Sequence, residues 1–165
     1  MVDFRPARSD EIETIRALER ASAQRFVGLM DALADDEPSP ASVLAIRIKD
    51  GGLIVAVEAG TVAGFVMFRR VETCAYVEQI DVLPAFAGRR IGAALLDEVA
   101  RRARAAGLDG LSLSTFREVP WNAPYYARLG FVAVEAPTPG MLAIRAEHLA
   151  RGLDEAARVF MVRGV

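Results

Sequence analysis

Two stretches of this 165-residue chain hold the residues whose types and spacing suit chemistry. The first runs Tyr76-Val77-Glu78-Gln79-Ile80-Asp81-Val82-Leu83-Pro84, then Ala85-Phe86-Ala87-Gly88-Arg89-Arg90-Ile91-Gly92-Ala93. It reads as a strand, a turn and the opening of a helix. The first turn of a helix has N–H groups without intrahelical partners and the positive end of the dipole, so it suits a phosphate. Gly88 and Gly92 permit close backbone approach, and Arg89 and Arg90 add positive charge, which makes a diphosphate the natural guest. The stretch is no P-loop, because no Gly-Lys-Ser/Thr follows, and it lacks the Gly-x-Gly-x-x-Gly of a dinucleotide fold. The strand also carries two carboxylates. Tyr76, Glu78, Ile80 and Val82 share one face, and Asp81 lies on the other. The second stretch is Asn122-Ala123-Pro124-Tyr125-Tyr126-Ala127-Arg128-Leu129-Gly130-Phe131. Asn122 and Tyr126, four apart, share a helical face. Read alone, Tyr126 is a core aromatic with a satisfied hydroxyl.

The composition removes other chemistries. With one cysteine, Cys74, and one histidine, His148, the chain has no disulfide framework and no zinc site of clustered Cys and His. Cys74, with no histidine near it in sequence, reads as a small buried hydrophobe rather than a nucleophile. His148 falls in Leu142–Arg151, whose apolar alternation predicts a strand, and reads as a surface or strand-edge residue. A net charge of −2 argues against a nucleic-acid surface. No apolar run is long enough to span a bilayer, and the N-terminus lacks the order of a secretory signal. The expectation is one domain over residues 1–165, in the cytoplasm, with 53% hydrophobic residues to fill its core.

The elements that must position these residues follow from pattern. Phe4–Ala7 reads as a first strand. Ser9 or Asp10 is placed to cap a helix from about Asp10 into the twenties, with Glu13 near the capping-box position. A polar breaker over residues 35–40 precedes a short helix, roughly Pro40 to Ile48, ended by Asp50-Gly51-Gly52. Leu53–Glu58 and Val62–Val71 flank a hairpin signal at Ala59-Gly60-Thr61, and Cys74–Leu83 is a third strand. A long helix from about Arg89 to Ala106 carries Ile91, Leu95 and Val99 on one face. Leu108–Phe116 is a strand, Asn122–Leu129 a short helix, and two closing strands are expected near Met141–Arg151 and Ala157–Arg163. Strand, helix, strand at the centre implies a parallel pair, and the hairpins imply antiparallel ones. The fold class expected is α/β: a mixed, mostly antiparallel sheet with helices on both faces.

Val82-Leu83-Pro84 with Gly88-Arg89-Arg90-Ile91-Gly92-Ala93-Ala94-Leu95-Leu96 resembles the acyl-CoA signature of the GNAT family of N-acetyltransferases, Gln/Arg-x-x-Gly-x-Gly/Ala. The segment Asn122 to Phe131 resembles the family's second signature, a short helix ending in Tyr-x-x-x-Gly-Phe. The element order is similar too, and the resemblance covers most of the chain. Aligned on Ile91-Gly92, the family's Gln and first Gly fall on Ala87 and Arg90. A shifted match, Arg89-x-x-Gly92-x-Ala94, satisfies the pattern two residues out of register, but Val82, Pro84, Ile91 and Leu95 fit the unshifted one.

The resemblance implies acetyl-CoA as co-substrate and a central parallel pair that splays around the pantetheine arm, here Glu78–Leu83 and Leu111–Phe116. It implies that the backbone near Val82 offers an N–H to the thioester carbonyl, an oxyanion-type contact. Backbone amides of Gly88, Arg89, Arg90, Ile91, Gly92 and Ala93 would hold the diphosphate, and Asn122 the pantetheine. Tyr126 matches the tyrosine that protonates the departing thiolate. The attacking ammonium must lose a proton, and Glu78 suits that task, with Asp81 as the alternative. Direct transfer in a ternary complex is expected, without a metal. The acceptor is an amine of a small molecule or protein. Asp31, Asp35, Asp36 and Glu37 would draw a cationic one, and solvated acidic loops read the same way. Phe26, Met30, Phe116 and Trp121 either line an apolar part of the cleft or belong to the core. The closing strands offer a route to a homodimer. The competing classes are a non-catalytic acyl-CoA-binding regulatory domain on the same fold and a nucleotide- or phosphate-binding domain.

Overall fold

The computed structural model describes residues 1–29 and 37–165. Seven strands are described: β1 Asp3–Pro6, β2 Leu53–Glu58, β3 Thr61–Val71, β4 Cys74–Val82, β5 Gly110–Phe116, β6 Val132–Ala133 and β7 Arg158–Gly164. The described helices are α1 Ile12–Ala23, α2 Ala41–Lys49, α3 Ile91–Ala105, α4 Ala123–Arg128 and α5 Pro139–Ala150. Strand order is β1-β2-β3-β4-β5-β7-β6. The pairs β1/β2, β2/β3, β5/β7 and β6/β7 are antiparallel and β4/β5 is parallel. The expected mixed, mostly antiparallel α/β sheet is therefore present.

The chain divides into two compact units, Met1–Arg69 with Gln79–Glu98, and Arg70–Glu78 with Val99–Val165. In the first, one sheet face carries Leu53, Val55, Phe65 and Met67, which pack with Ile15 and Leu18 of α1 and Leu44 of α2. The opposite face carries Gly64. A β-carbon there would stand 2.9 Å from the Asp81 carbonyl and 3.5 Å from Ile91 Cγ2 of α3, so only glycine lets these elements close. The β2–β3 hairpin turns through Ala59 and Gly60, both at positive φ. The start of α1 differs from expectation. A 3₁₀ turn, Ser9–Glu11, precedes it, and Glu11, not Glu13, reaches back to the Arg8 N–H at 2.8 Å. Arg5 grips the same carboxylate through two hydrogen bonds, which holds it down to about 2 against the opposing effect of burial.

In the second unit, β4 and β5 pair from Cys74↔Gly110 to Val77↔Leu113, and among the described residues the parallel pairing ends there. Tyr76 and Phe160 pack against Met141 and Ile144 of α5. This helix replaces the strand expected over Met141–Arg151. Thr138 caps it by accepting from the Met141 N–H, and Pro139 occupies its first turn, where the missing N–H costs nothing. Met141 and Ile144 are buried three residues apart, a helical stripe that masquerades as alternation in a short window. The strand before β7 is instead the two-residue β6. No described helix is long and apolar enough to cross a membrane.

Candidate active site

In the first unit, β4 runs through a 3₁₀ turn, Pro84–Phe86, into α3. Leu83 N–H donates to Ala63 carbonyl of β3 at 2.8 Å. Successive amides of a strand point to opposite edges, so the Val82 N–H faces away from β3. The first bond of α3 is Ala94 N–H to Arg90 carbonyl at 3.1 Å. The amides of Ile91, Gly92 and Ala93 therefore precede the helical ladder, as an anion site requires. Gly88 sits at φ +76, with open space where a β-carbon would be. Arg90 sits at φ +60, in the left-handed region. The residue that departs from the expected glycine thus keeps a backbone conformation that glycine adopts freely.

The two arginines differ. Arg89 makes a bidentate pair with Glu58, at 2.7 and 2.8 Å, and its guanidinium lies 5.2 Å from the Phe86 ring centroid. Its side chain is thereby tied back to the β2–β3 hairpin. Arg90 is exposed.

Asp81 is buried at 6% exposure, beneath α1. Ser22 Oγ donates to it at 2.8 Å, Gln79 Nε2 donates at 2.6 Å, and Arg25 lies 3.5 Å away. Burial lifts its carboxyl to about 6. The Gln79 hydrogen bond, the Arg25 charge and the Ser22 hydrogen bond oppose the rise, and the nearby Glu19 carboxylate adds to it. Glu19 itself holds Ser39 through backbone and hydroxyl, both at 2.7 Å.

The second unit holds Glu78, Asn122 and Tyr126. Glu78 is the first β4 residue past the parallel pairing and is half-buried. Asn122 sits at the N-terminal boundary of α4, its carbonyl accepting from the Tyr126 N–H at 2.9 Å. Asn122 Oδ1 is buried and has no hydrogen-bond partner among the described residues. Tyr126 is buried at 8% exposure, edge-on to Tyr125 and Phe131 with ring centroids 5.4 and 5.7 Å away.

Cys74 is half-buried, and burial pushes its thiol up, so it stays protonated at neutral pH and is a poor nucleophile. His148 is not at a strand edge. It lies on α5, and its Nδ1 meets Glu155 Oε1 in a half-buried pair. Phe116 is buried, while Phe26 and Trp121 are half-buried. Glu37 lies 3.7 Å from Arg20, and Met30, Asp31, Asp35 and Asp36 lie outside the described residues. Sequence reasoning missed Ser114 and Arg158, which carry buried polar atoms without hydrogen-bond partners among the described residues. The alternation in Leu111-Ser112-Leu113-Ser114 marked the strand but not its face, and nothing in the sequence flagged Arg158.

Residues 13–131 match the family model described as the Acetyltransferase (GNAT) family. The chain belongs to that family. Among solved structures it is similar to the PaiA N-acetyltransferase of Thermoplasma acidophilum in complex with coenzyme A. The TM-score is 0.76 at 15% identity, over 100% of this chain and 99% of that one. The Rv2747 protein of Mycobacterium tuberculosis, in complex with CoA and NLQ, gives 0.72 at 20% identity, over 99% of both chains. The N-acetylglutamate synthase of Neisseria gonorrhoeae, complexed with coenzyme A and N-acetyl-glutamate, gives 0.75 at 20% identity. There the match covers 99% of this chain and 35% of the longer enzyme. At these identities the likeness is one of fold.

Proposed function

We propose that this chain is an acetyl-CoA-dependent N-acetyltransferase acting on a primary amine by direct attack. The observation that carries the reading is the β4–α3 loop. Its backbone keeps a left-handed residue at Arg90 and leaves the Ile91, Gly92 and Ala93 amides ahead of the helical ladder. Those amides, with Gly88 and Arg89, suit a diphosphate. The orphaned Asn122 Oδ1 suits an amide N–H of pantetheine, since a buried acceptor without a donor is costly unless a ligand supplies one.

Each proposed role follows from ordinary acid–base chemistry. Glu78 takes the proton of the ammonium, so that nitrogen carries a free electron pair. The new C–N bond forms as the C–S bond breaks. The Val82 N–H donates to the carbonyl oxygen while negative charge builds on it. Tyr126 O–H gives its proton to the departing sulfur, and the second proton of the attacking nitrogen, shed as the amide forms, restores the Tyr126 phenol. The products are an amide and a neutral thiol, and the proton on Glu78 passes to water. Asp81 is the less suitable base, because its carboxyl is already engaged by Ser22, Gln79 and Arg25.

The test begins with calorimetric titration of acetyl-CoA against ATP and NAD controls, followed by thiol-release assays with an amine panel. Tyr126→Phe is then expected to lower kcat about 10²-fold or more while leaving acetyl-CoA affinity within about threefold. Loss of both together would mark Tyr126 as a packing residue. Acetyl-CoA binding with no thiol release from any amine would favour the regulatory, non-catalytic alternative.

A further inference from the structure

The amino-terminal end of β7 carries a guanidinium with no salt bridge among the described residues. Arg158 pairs in register with Phe116 of β5, and Phe160 with Ser114, so these four side chains share one face of the sheet. The Arg158 guanidinium lies 4.5 Å from the Phe116 ring centroid, and its Nη1 donates to the Ser114 carbonyl at 3.4 Å. Among the described residues its Nε is buried without a hydrogen-bond partner, and so is Ser114 Oγ. Among the described residues no carboxylate lies within salt-bridge distance of Arg158. Glu155, the carboxylate whose field it feels, is held by His148. Burial accordingly pushes the guanidinium below its ordinary value. A guanidinium so placed, with an unused donor, is stabilised by an anion, and its planar fork matches a carboxylate.

The same face holds the proposed base. Tyr76 packs with Phe160, and Glu78 lies two residues further along β4, on the side of the sheet that Tyr76 occupies. β5 separates β4 from β7, and Arg158 lies two residues beyond Phe160, the β7 residue in the row that Glu78 extends, so the Glu78 and Arg158 backbones stand about 12 Å or more apart across the strands. A small molecule with an amine at one end and an anion at the other spans a separation of that order.

We propose that Arg158, assisted by the Ser114 hydroxyl, binds a carboxylate carried by the acceptor, so that the substrate class is an amino acid or another amine bearing a carboxylate. The proposal rests on the acyltransfer reading above, and its test separates the two. Thiol release is measured with amino acids, with ω-amino acids of increasing length, and with the carboxamide of each. The expected result is at least one carboxylate acceptor whose kcat/KM exceeds that of its own carboxamide tenfold or more. Arg158→Gln should reduce that advantage to under twofold while leaving the KM for acetyl-CoA unchanged. A merely structural arginine would move both constants or neither. The wild-type comparison needs no variant, so it stands even if Arg158→Gln fails to fold. Equal use of carboxylates and carboxamides overturns the proposal, as does a preference for simple polyamines. So does acetyl-CoA binding without turnover of any carboxylate-bearing amine. Failure of acetyl-CoA itself to bind overturns the acyltransfer reading instead.

Discussion

Arg90 shows what a single residue reveals at each level of description. Its mismatch with the family's glycine is legible in the sequence. Its physical consequence is not, because a sequence pattern carries no φ. The structure places Arg90 at φ +60, where an L-residue is disfavoured by about 1–2 kcal/mol and glycine is not. Arg90→Gly removes that strain and adds freedom to the unfolded chain, so the net gain is expected to be about 0.5–1 kcal/mol. A rise in the urea midpoint would report it. The backbone N–H is the same in both proteins, so acetyl-CoA affinity should stay within about threefold. A tenfold loss would show that the arginine side chain grips the ligand. Arg158 is the opposite case. Its type and position look unremarkable in sequence, and only a buried Nε with no hydrogen-bond partner among the described residues singles it out.

At the scale of elements, sequence periodicity located β1 to β5, α1 to α4 and β7 to within a few residues. It failed at α5, where a short apolar window fits both periods and the deciding feature is the Thr138–Pro139 start. It could not show the polar seam between α1 and β4. There Ser22 and Arg25 meet Asp81 from residues 56 to 59 positions away, and such a meeting has no local signature. The seam carries a pH dependence. The folded Asp81 carboxyl titrates near 6, above its ordinary value of 3.8. Between those values the folded chain keeps a proton that the unfolded chain has lost. The stability this contributes is complete below 3.8 and disappears as pH rises through 6. Asp81→Asn keeps two of the hydrogen bonds after an amide rotation and cannot titrate. Wild type should therefore gain about 2 kcal/mol relative to the variant between pH 7 and pH 4. Parallel urea-stability curves across that range would place the carboxyl at an ordinary value.

For the molecule as a whole, element order and two spaced signatures were enough to anticipate the family, because both depend on local chemistry repeated in a fixed order. Which side chains end in the same unit depends on tertiary contacts and was not legible. The proposed ligand-binding residues fall in both compact units, with Val82 and Gly88–Ala93 in the first and Asn122 and Tyr126 in the second. Ligand-linked stability therefore tests the two groups of residues separately. A ligand bound only by the folded state stabilises it by about 2.7 kcal/mol at a hundred times its Kd. The sole tryptophan, Trp121, belongs to the second unit and reports on it by fluorescence, while far-UV circular dichroism reports on the whole chain. If residues of both units hold acetyl-CoA, saturating ligand should raise both urea transitions together by an increment of that size, with ATP and NAD ineffective. A rise in the circular-dichroism transition that leaves the Trp121 transition in place would confine binding to the β4–α3 loop. It would also remove Asn122 and Tyr126 from the proposed mechanism.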